Sequence, residues 1–168
     1  QALINMAYDQ SNLKDILLVE NFDHFHFDYY SDQVDPITNI SPKENIKQIY
    51  SHCIHFVNEF NEEFNNIIFY GDPGLGKTFL CNCIAKDLLD RGKTVLYLTA
   101  FQLFKLFEKE RFRKEEETED MKAYLDAVFT VDLLIIDDLG TEFSTALTGA
   151  ELFNCLNARI LDRKHTII

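Results

Sequence analysis

The sequence has little positive charge. Among its 168 residues, 16 Lys and Arg stand against 28 Asp and Glu, and the formal net charge is −12. A protein that coats nucleic acid or anionic lipid without specificity needs the opposite balance. That class is excluded, so any contact with nucleic acid must be confined to a local surface.

Long apolar runs and a regular cysteine framework are also missing. The apolar run 133–136 is far shorter than the roughly 18 residues that a membrane span requires, so we expect no contact with a membrane. The four cysteines have neither the spacing of a zinc ribbon nor that of a secreted disulfide framework. Cys81 and Cys83 would point about 200° apart on one helix, which favours buried thiols over a shared metal. A reducing cytoplasm fits this cysteine usage best.

The composition is that of a folded domain. Hydrophobic residues make up 46% of the chain, aromatic residues 13% and charged residues 26%, which excludes a disordered or low-complexity protein. We divide the chain into an acidic, aromatic arm or linker over residues 1–40 and a folded domain over residues 41–168. The chain begins with Gln1, and residues 166–168 have the pattern of a strand that is cut short. We therefore expect a piece of a longer protein that is truncated on its C-terminal side.

Apolar strands and amphipathic helices alternate through the folded domain. A helix is expected to begin at Ser41, whose side chain can cap the amide of Glu44. Short apolar runs predict buried strands, the first of them buried on both faces, at 66–70, 94–98 and 131–136. Further helices are predicted at 77–91, at 121–129 and at 150–163. Another helix is expected to begin at a capping box formed by Thr99 and Gln102. This alternation predicts a three-layer α/β fold, with helices on both faces of a parallel sheet.

A phosphate-binding loop joins the first predicted strand to the next helix. Residues 71–78 read G-D-P-G-L-G-K-T and match G-x-x-x-x-G-K-[ST] at every fixed position. The glycines let successive amides point at phosphate oxygens, and the positive end of the helix adds to their field. The predicted nucleotide-binding residues are Gly71, Asp72, Pro73, Gly74, Leu75, Gly76, Lys77, Thr78 and Phe79. Lys77 is expected to reach the β- and γ-phosphates of ATP as a catalytic residue, and the hydroxyl of Thr78 to hold Mg²⁺.

Two adjacent carboxylates follow the strand at 131–136. A metal bound at a P-loop needs an acidic partner at the end of a neighbouring strand, and Asp137 supplies one, facing Mg²⁺ through water. Asp138 can then orient or deprotonate the water that attacks the γ-phosphate of ATP. The alternative is a solvated strand end or turn, which the sequence D-D-L-G permits.

The phosphate loop, the run L-L-I-I-D-D-L-G-T-E at 133–142 and the aromatic arm at 22–32 together carry a family resemblance. From residue 40 onward the sequence resembles the AAA+ ATPase domain of the DnaC-like bacterial helicase loaders and of the IstB-like transposition helper ATPases. The resemblance implies a P-loop NTPase that binds ATP or ADP with Mg²⁺ and hydrolyses ATP. It also implies self-association into a spiral, weak ATP-dependent binding of single-stranded DNA, and a replicative DNA helicase as partner during DNA replication.

Two departures from the family pattern matter for the expected chemistry. Most AAA+ proteins carry Glu where Asp138 stands, although this relative group tolerates Asp. The chain also ends before the family's polar sensor, arginine finger and second sensor, so half of the composite catalytic site lies outside it. Glu142 belongs to the matched text, but no physical role follows from it.

Three other functions stay open. A transposition helper ATPase would have the same chemistry and a transposase as partner. A small-molecule P-loop kinase has a suitable size, but no arginine-bearing lid is visible between residues 109 and 121. A nucleotide-binding switch would bind ATP without hydrolysing it.

One segment combines positive charge with aromatic rings. It carries Lys105, Lys109, Arg111, Arg113 and Lys114, interleaved with Phe104, Phe107 and Phe112. This combination is typical of surfaces that bind single strands, but neighbouring glutamates also make it typical of a solvated helix face. Arg159 and Arg163 are expected to face a neighbouring subunit. The aromatic arm is expected to pack on the core, with contact to the adenine of ATP as the alternative.

Overall fold

The computed structural model describes residues 13–111, 119–140 and 146–168. Three strands and six α-helices follow one another in these ranges, with two short 3₁₀ helices at Phe22–His24 and Phe27–Tyr29 in the arm. In chain order the elements are α1 (Leu13–Val19), α2 (Pro42–Asn58), α3 (Lys77–Asp90), β1 (Val95–Thr99), α4 (Ala100–Arg111), α5 (Glu119–Thr130), β2 (Leu133–Asp137), α6 (Ala146–Leu161) and β3 (His165–Ile167). Within the described residues, no helix is both long enough and apolar enough to cross a membrane.

The sheet is parallel, in the order β1-β2-β3. Its strands alternate in the face they bury: Leu133 and Ile135 join one apolar cluster, while Leu134 and Ile136 join the other. Helices α2 and α3 cover the first face, and α4, α5 and α6 cover the second. The expected three-layer α/β architecture with a parallel central sheet is therefore present.

The predicted strand at 66–70 is corrected by the structure. Ile67 makes only an isolated parallel bridge to Ile167, and Phe69 donates its N–H to the carbonyl of Ile168 at 2.7 Å. Burial on both faces is also wrong, because Ile68 is 69% exposed. The segment lies at the edge of the described sheet, where only one face is covered. Strand β3 therefore stands between this segment and β2, so β2 is not the neighbour of the P-loop segment that we expected.

Local capping signals begin α2 and α4 where the sequence predicted, whereas α6 begins at Ala146, four residues before the predicted start, and α1 was not predicted. The side chain of Ser41 accepts the N–H of Glu44 at 3.2 Å and begins α2. At the start of α4, Gln102 donates its N–H to the hydroxyl of Thr99, and Thr99 returns its N–H to the side chain of Gln102 at 2.8 Å. This reciprocal pair is a capping box. It begins α4 directly after β1, without a connecting loop.

The aromatic arm packs on the core beside α2 and α3. Phe22, Phe25 and Phe27 surround the ring of Tyr50 in α2, with centroids 5.2–5.3 Å away. Tyr29 is 86% exposed and takes no part in this cluster. The expected packing of the arm is confirmed for these three rings.

Arg159 does not face a neighbouring subunit, as we expected it to. Its side chain is 0% exposed and donates to the carbonyls of Val128, Val131 and His165 and to the hydroxyl of Thr166. Burial lowers the pKa of Arg159 to about 10. The guanidinium thus joins the end of α5 and its following turn to β3, inside the domain. Arg163 is exposed and lies over the ring of Phe64, 5.7 Å from its centroid.

Candidate functional site

The phosphate loop lies between the segment that pairs with β3 and the first turn of α3. Gly74 and Gly76 have φ of +82° and +93°, a left-handed region where side chains are strained, so the loop can curl there only with glycine. Lys77 begins α3, and its ammonium donates to the carbonyls of Gly71 and Asp72 at 2.8 and 2.9 Å. The lysine therefore reaches across the loop to its far end, where a bound phosphate would offer it stronger acceptors.

Asp137, the last residue of β2, has a defined orientation. The hydroxyl of Tyr97 in β1 donates to its Oδ2 at 2.7 Å, and the N–H of Asp138 donates to its Oδ1 at 2.9 Å. Both carboxylate oxygens thus have a donor that fixes the plane of the group, and each keeps a further lone pair. Sequence analysis missed Tyr97 because this hydrogen bond spans 40 residues. The signal that could have indicated this hydrogen bond is the position of Tyr97 on the strand that neighbours Asp137 in a parallel sheet.

Asp138 is exposed and has a φ of +58°. Asp and Asn tolerate this left-handed conformation better than other non-glycine residues, at a cost of order 1 kcal/mol. The conformation turns the chain sharply directly after β2. Asp137 and Asp138 are therefore presented differently: Asp137 is held against β1, and Asp138 stands in solvent at the carboxyl end of the sheet.

A cavity of about 430 Å³ opens beside Lys77. The arm and the start of α2 form one side of it, through Tyr30, Ile40 and Ile46, and the loop and its preceding segment form the other, through Phe69 and Leu75. The walls are mainly apolar, with polar groups at Asp35, Thr38 and Asn45. This size and lining suit a flat heterocycle whose phosphates lie on the adjoining loop.

The loop and the sheet end offer oxygen ligands that fit Mg²⁺. Thr78 is exposed at the first turn of α3 and Asp137 is partly exposed at the end of β2, and both supply the hard oxygen donors that this ion prefers. Within the described ranges, no group of three or more His, Cys, Asp or Glu side chains is placed to hold a metal.

The basic and aromatic segment is only partly described. On α4, Phe101, Lys105 and Lys109 recur every four residues on the exposed face, and the ammonium of Lys105 lies 5.0 Å from the ring centroid of Phe101. Phe107 is buried, and Arg111 lies 3.5 Å from Glu151 of α6. The remaining members, Phe112, Arg113 and Lys114, lie outside the described residues, as does Glu142.

The cysteines are buried, as expected. Burial raises the pKa of Cys53 and of Cys83 to about 12, and it also raises the pKa of Cys81. The thiols of Cys81 and Cys83 are therefore protonated at neutral pH and belong to the packing around α3.

The chain is similar to a known protein family and to curated proteins. A family model described as IstB-like ATP binding protein matches residues 41–168. Over 114 residues the chain is 37% identical to the replicative helicase loader DnaC of Escherichia coli (strain K12), a match that covers 68% of this chain and 43% of the relative. The chain thus spans less than half the length of that curated relative.

Solved structures show the same fold. A crystal structure of the DnaC helicase loader matches with a TM-score of 0.67 and 24% identity, over 90% of this chain and 76% of that one. The replication initiator DnaA bound to AMPPCP and single-stranded DNA matches with a TM-score of 0.60 and 24% identity, over 72% of this chain and 36% of that one. The expected P-loop fold of AAA+ type is confirmed. With the family model matched from Ser41 to Ile168, the chain belongs to the IstB-like ATP binding proteins.

Proposed function

We propose that the chain binds ATP and ADP at residues 71–79 and that the protein it belongs to hydrolyses ATP. The observation that carries this is the loop geometry, in which Lys77 reaches across a glycine curl at the end of the sheet where Asp137 and Asp138 lie. Membership of an ATP-binding family supports the same conclusion.

Each residue has a distinct part in the proposed reaction. Lys77 exchanges its two carbonyl acceptors for oxygens of the β- and γ-phosphates and draws negative charge away from the bond that breaks. Asp138 accepts a proton from, or orients, the water that attacks the γ-phosphate. Asp137 keeps its orientation through Tyr97, and each carboxylate oxygen retains a lone pair for a water ligand of the metal.

Mg²⁺ would be held by the hydroxyl of Thr78 and, through water, by Asp137. When bound, it neutralises charge on the β- and γ-phosphate oxygens. The protein residues would supply oxygen ligands for the ion. Thr78 would do so from the first turn of α3, and Asp137 from the end of β2.

We place the adenine in the cavity beside Lys77. Its apolar walls at Ile40, Ile46 and Phe69 suit the faces of a purine. This assignment gives the arm a part in nucleotide binding, because Tyr30 lies on the same wall. Ile46 belongs to the buried core, so the test uses Ile40, which is partly exposed: Ile40→Trp should weaken ADP binding while leaving binding of inorganic diphosphate unchanged.

At the level of the whole protein, we propose a bacterial cytoplasmic loader that places the replicative DNA helicase on single-stranded DNA. The 37% identity to the E. coli helicase loader DnaC supports this reading. The description of the matched family supports the second candidate, a transposition helper ATPase. Family membership gives no support to the small-molecule kinase.

The exposed face of α4 is the proposed contact for single-stranded DNA. Phe101 offers a ring for stacking, and Lys105 and Lys109 offer charge along one stripe. Two lysines on a chain of net charge −12 bind weakly, so several copies aligned by ATP in a spiral are needed to hold one strand. The charge reversal Lys105→Glu with Lys109→Glu should abolish DNA binding, whereas reversing the exposed Lys47 and Lys122 together should not.

The test uses the full-length protein. It is mixed with the replicative helicase of the same bacterium and a circular single strand coated with single-strand binding protein, with and without ATP. A loader produces helicase bound to the circle only when both ATP and the protein are present. Absence of that product, together with ATP-dependent binding to a transposase encoded beside it, would favour the transposition helper.

A further inference from the structure

The arm makes a polar contact with the phosphate loop through Tyr30. The hydroxyl of Tyr30 donates to the carbonyl of Leu75 at 3.0 Å, across 45 residues of sequence. Leu75 lies in the middle of the P-loop, directly before the glycine that precedes the catalytic lysine. A side chain from outside the loop therefore holds the backbone of the segment that would bind the phosphates.

The geometry of the peptide unit couples this contact to the direction of the Gly76 N–H. The carbonyl of Leu75 and the N–H of Gly76 belong to one planar trans peptide and point in opposite directions. When Tyr30 takes the carbonyl toward the arm, the N–H of Gly76 points away from the arm. That N–H is one of the loop amides that cradle phosphate oxygens in a P-loop.

Gly76 has no side chain, and this leaves room for the hydroxyl of Tyr30. A Cβ on Gly76 would lie 2.6 Å from the hydroxyl oxygen of Tyr30, closer than real contacts allow. The glycine also has a φ of +93°. It is therefore required twice, once by the curl of the loop and once by the hydroxyl that fills the space where a side chain would be.

The tyrosine is itself held in place by contacts with its neighbours. Its ring stacks on Phe25, with centroids 6.2 Å apart and planes 13° apart, and Phe25 packs edge-on against Phe79 in the first turn of α3. Lys43 of α2 also bonds Asp28 and Asp32, which flank the tyrosine in sequence, at 3.1 and 3.3 Å. The segment that carries Tyr30 is thus in contact with both α2 and α3.

We propose that Tyr30 is a positioning residue for phosphate binding: its hydroxyl fixes the Leu75–Gly76 peptide so that the N–H of Gly76 faces the phosphates of the nucleotide. This inference rests on the proposed nucleotide binding. It gives the arm a function beyond packing, because the arm carries the donor that orients the loop. Tyr30 acts through the backbone and touches no reacting atom.

The test compares Tyr30→Phe with Tyr29→Phe in the same chain. The first variant removes only the hydroxyl and keeps the ring that stacks on Phe25, and the second removes an equal hydroxyl from a neighbouring tyrosine that is 86% exposed. ADP affinity is measured by calorimetry. The amide signal of Gly76 is followed by ¹H–¹⁵N NMR during the titration, because a hydrogen bond to an anionic oxygen moves it strongly.

Tyr30→Phe should bind ADP about threefold to tenfold more weakly, the effect expected from one net hydrogen bond. The ADP-induced shift of the Gly76 amide should shrink, and Tyr29→Phe should match the wild type in both readouts. Unchanged ADP affinity and an unchanged Gly76 shift in Tyr30→Phe would overturn the proposal. So would equal losses in both variants, or a lower melting temperature of Tyr30→Phe with normal ADP affinity, which would mark a structural role only. If the wild type binds no ADP, the proposed function itself fails.

Discussion

Replacing Arg159 by leucine is expected to destabilise the fold strongly, although the residue lies far from the phosphate loop in sequence. The buried guanidinium makes four hydrogen bonds, three to carbonyls and one to the hydroxyl of Thr166. Leucine fills part of the space but leaves these acceptors without a donor in a site that water does not reach. Their free energy of desolvation is then uncompensated in the folded state.

The magnitude follows from those four contacts. At about 1 kcal/mol for each net hydrogen bond, the loss is about 4 kcal/mol, and the apolar burial of leucine and the relief of burying a charge offset about 1 kcal/mol of it. A net loss of about 3 kcal/mol lowers the melting temperature of a domain of this size by about 6–12 °C. Arg159→Lys should lose nearly as much, because an ammonium cannot reach four acceptors arranged around a planar fork.

Urea denaturation followed by circular dichroism measures this loss. Arg163→Leu serves as the control, since that arginine is exposed and makes a ring contact with Phe64 at 5.7 Å; its free energy of unfolding should change by less than about 1 kcal/mol. An Arg159→Leu variant within about 1 kcal/mol of the wild type would refute the reasoning. If Arg159→Leu had normal stability but impaired self-association, that result would instead support a place for Arg159 at a subunit interface.

Three further predictions concern the site and the pH dependence of folding. Asp138→Asn in the full-length protein should bind ATP normally but lose turnover, because the carboxylate acts on water and not on the ground-state nucleotide. Phosphate release at the wild-type rate would show that another residue orients the attacking water. Tyr97→Phe removes the hydrogen bond to Asp137 and should weaken Mg²⁺ binding in the ADP complex about tenfold, measured by Mg²⁺ titration at fixed ADP, with equal Mg²⁺ affinity contradicting the positioning role. Burial lowers the pKa of His165, so its contribution to stability should be complete above the unfolded pKa of about 6.5 and be lost as the pH falls through the folded pKa. Urea denaturation at pH 7 and pH 5 should show this loss in the wild type and a smaller one in His165→Asn, and equal losses would contradict it.

The features that were predicted correctly depend on short stretches of chain. The helix cap at Ser41 and the capping box at Thr99 each lie within a few residues, so their hydrogen bonds follow from the local sequence. The alternation of apolar strands and helices was sufficient to predict a parallel sheet with helices on both faces.

The features that were wrong or missed depend on neighbours distant in the sequence. The apolar run at 66–70 does not reveal that it lies at the edge of the described sheet, and the exposure of Ile68 follows from that position. The hydrogen bonds of Tyr30 and Tyr97 span 45 and 40 residues. Arg159 carried a local signal that was overlooked: it follows Leu152 and Cys155 by seven and four residues, which places it on the inner face of α6.

Binding of nucleotide to the wild-type chain and to Lys77→Ala tests the central claim most directly. At a concentration of Mg²⁺-ADP one hundred times its Kd, linkage predicts a stabilisation of about 2.7 kcal/mol, a rise in melting temperature of about 5–10 °C. Lys77→Ala should abolish that rise. The control Lys86→Ala, on the same helix, removes a lysine that pairs with Asp90 instead of crossing the loop and should keep the rise in full. A rise of equal size in Lys77→Ala and in the wild type would contradict the assignment of the phosphate site.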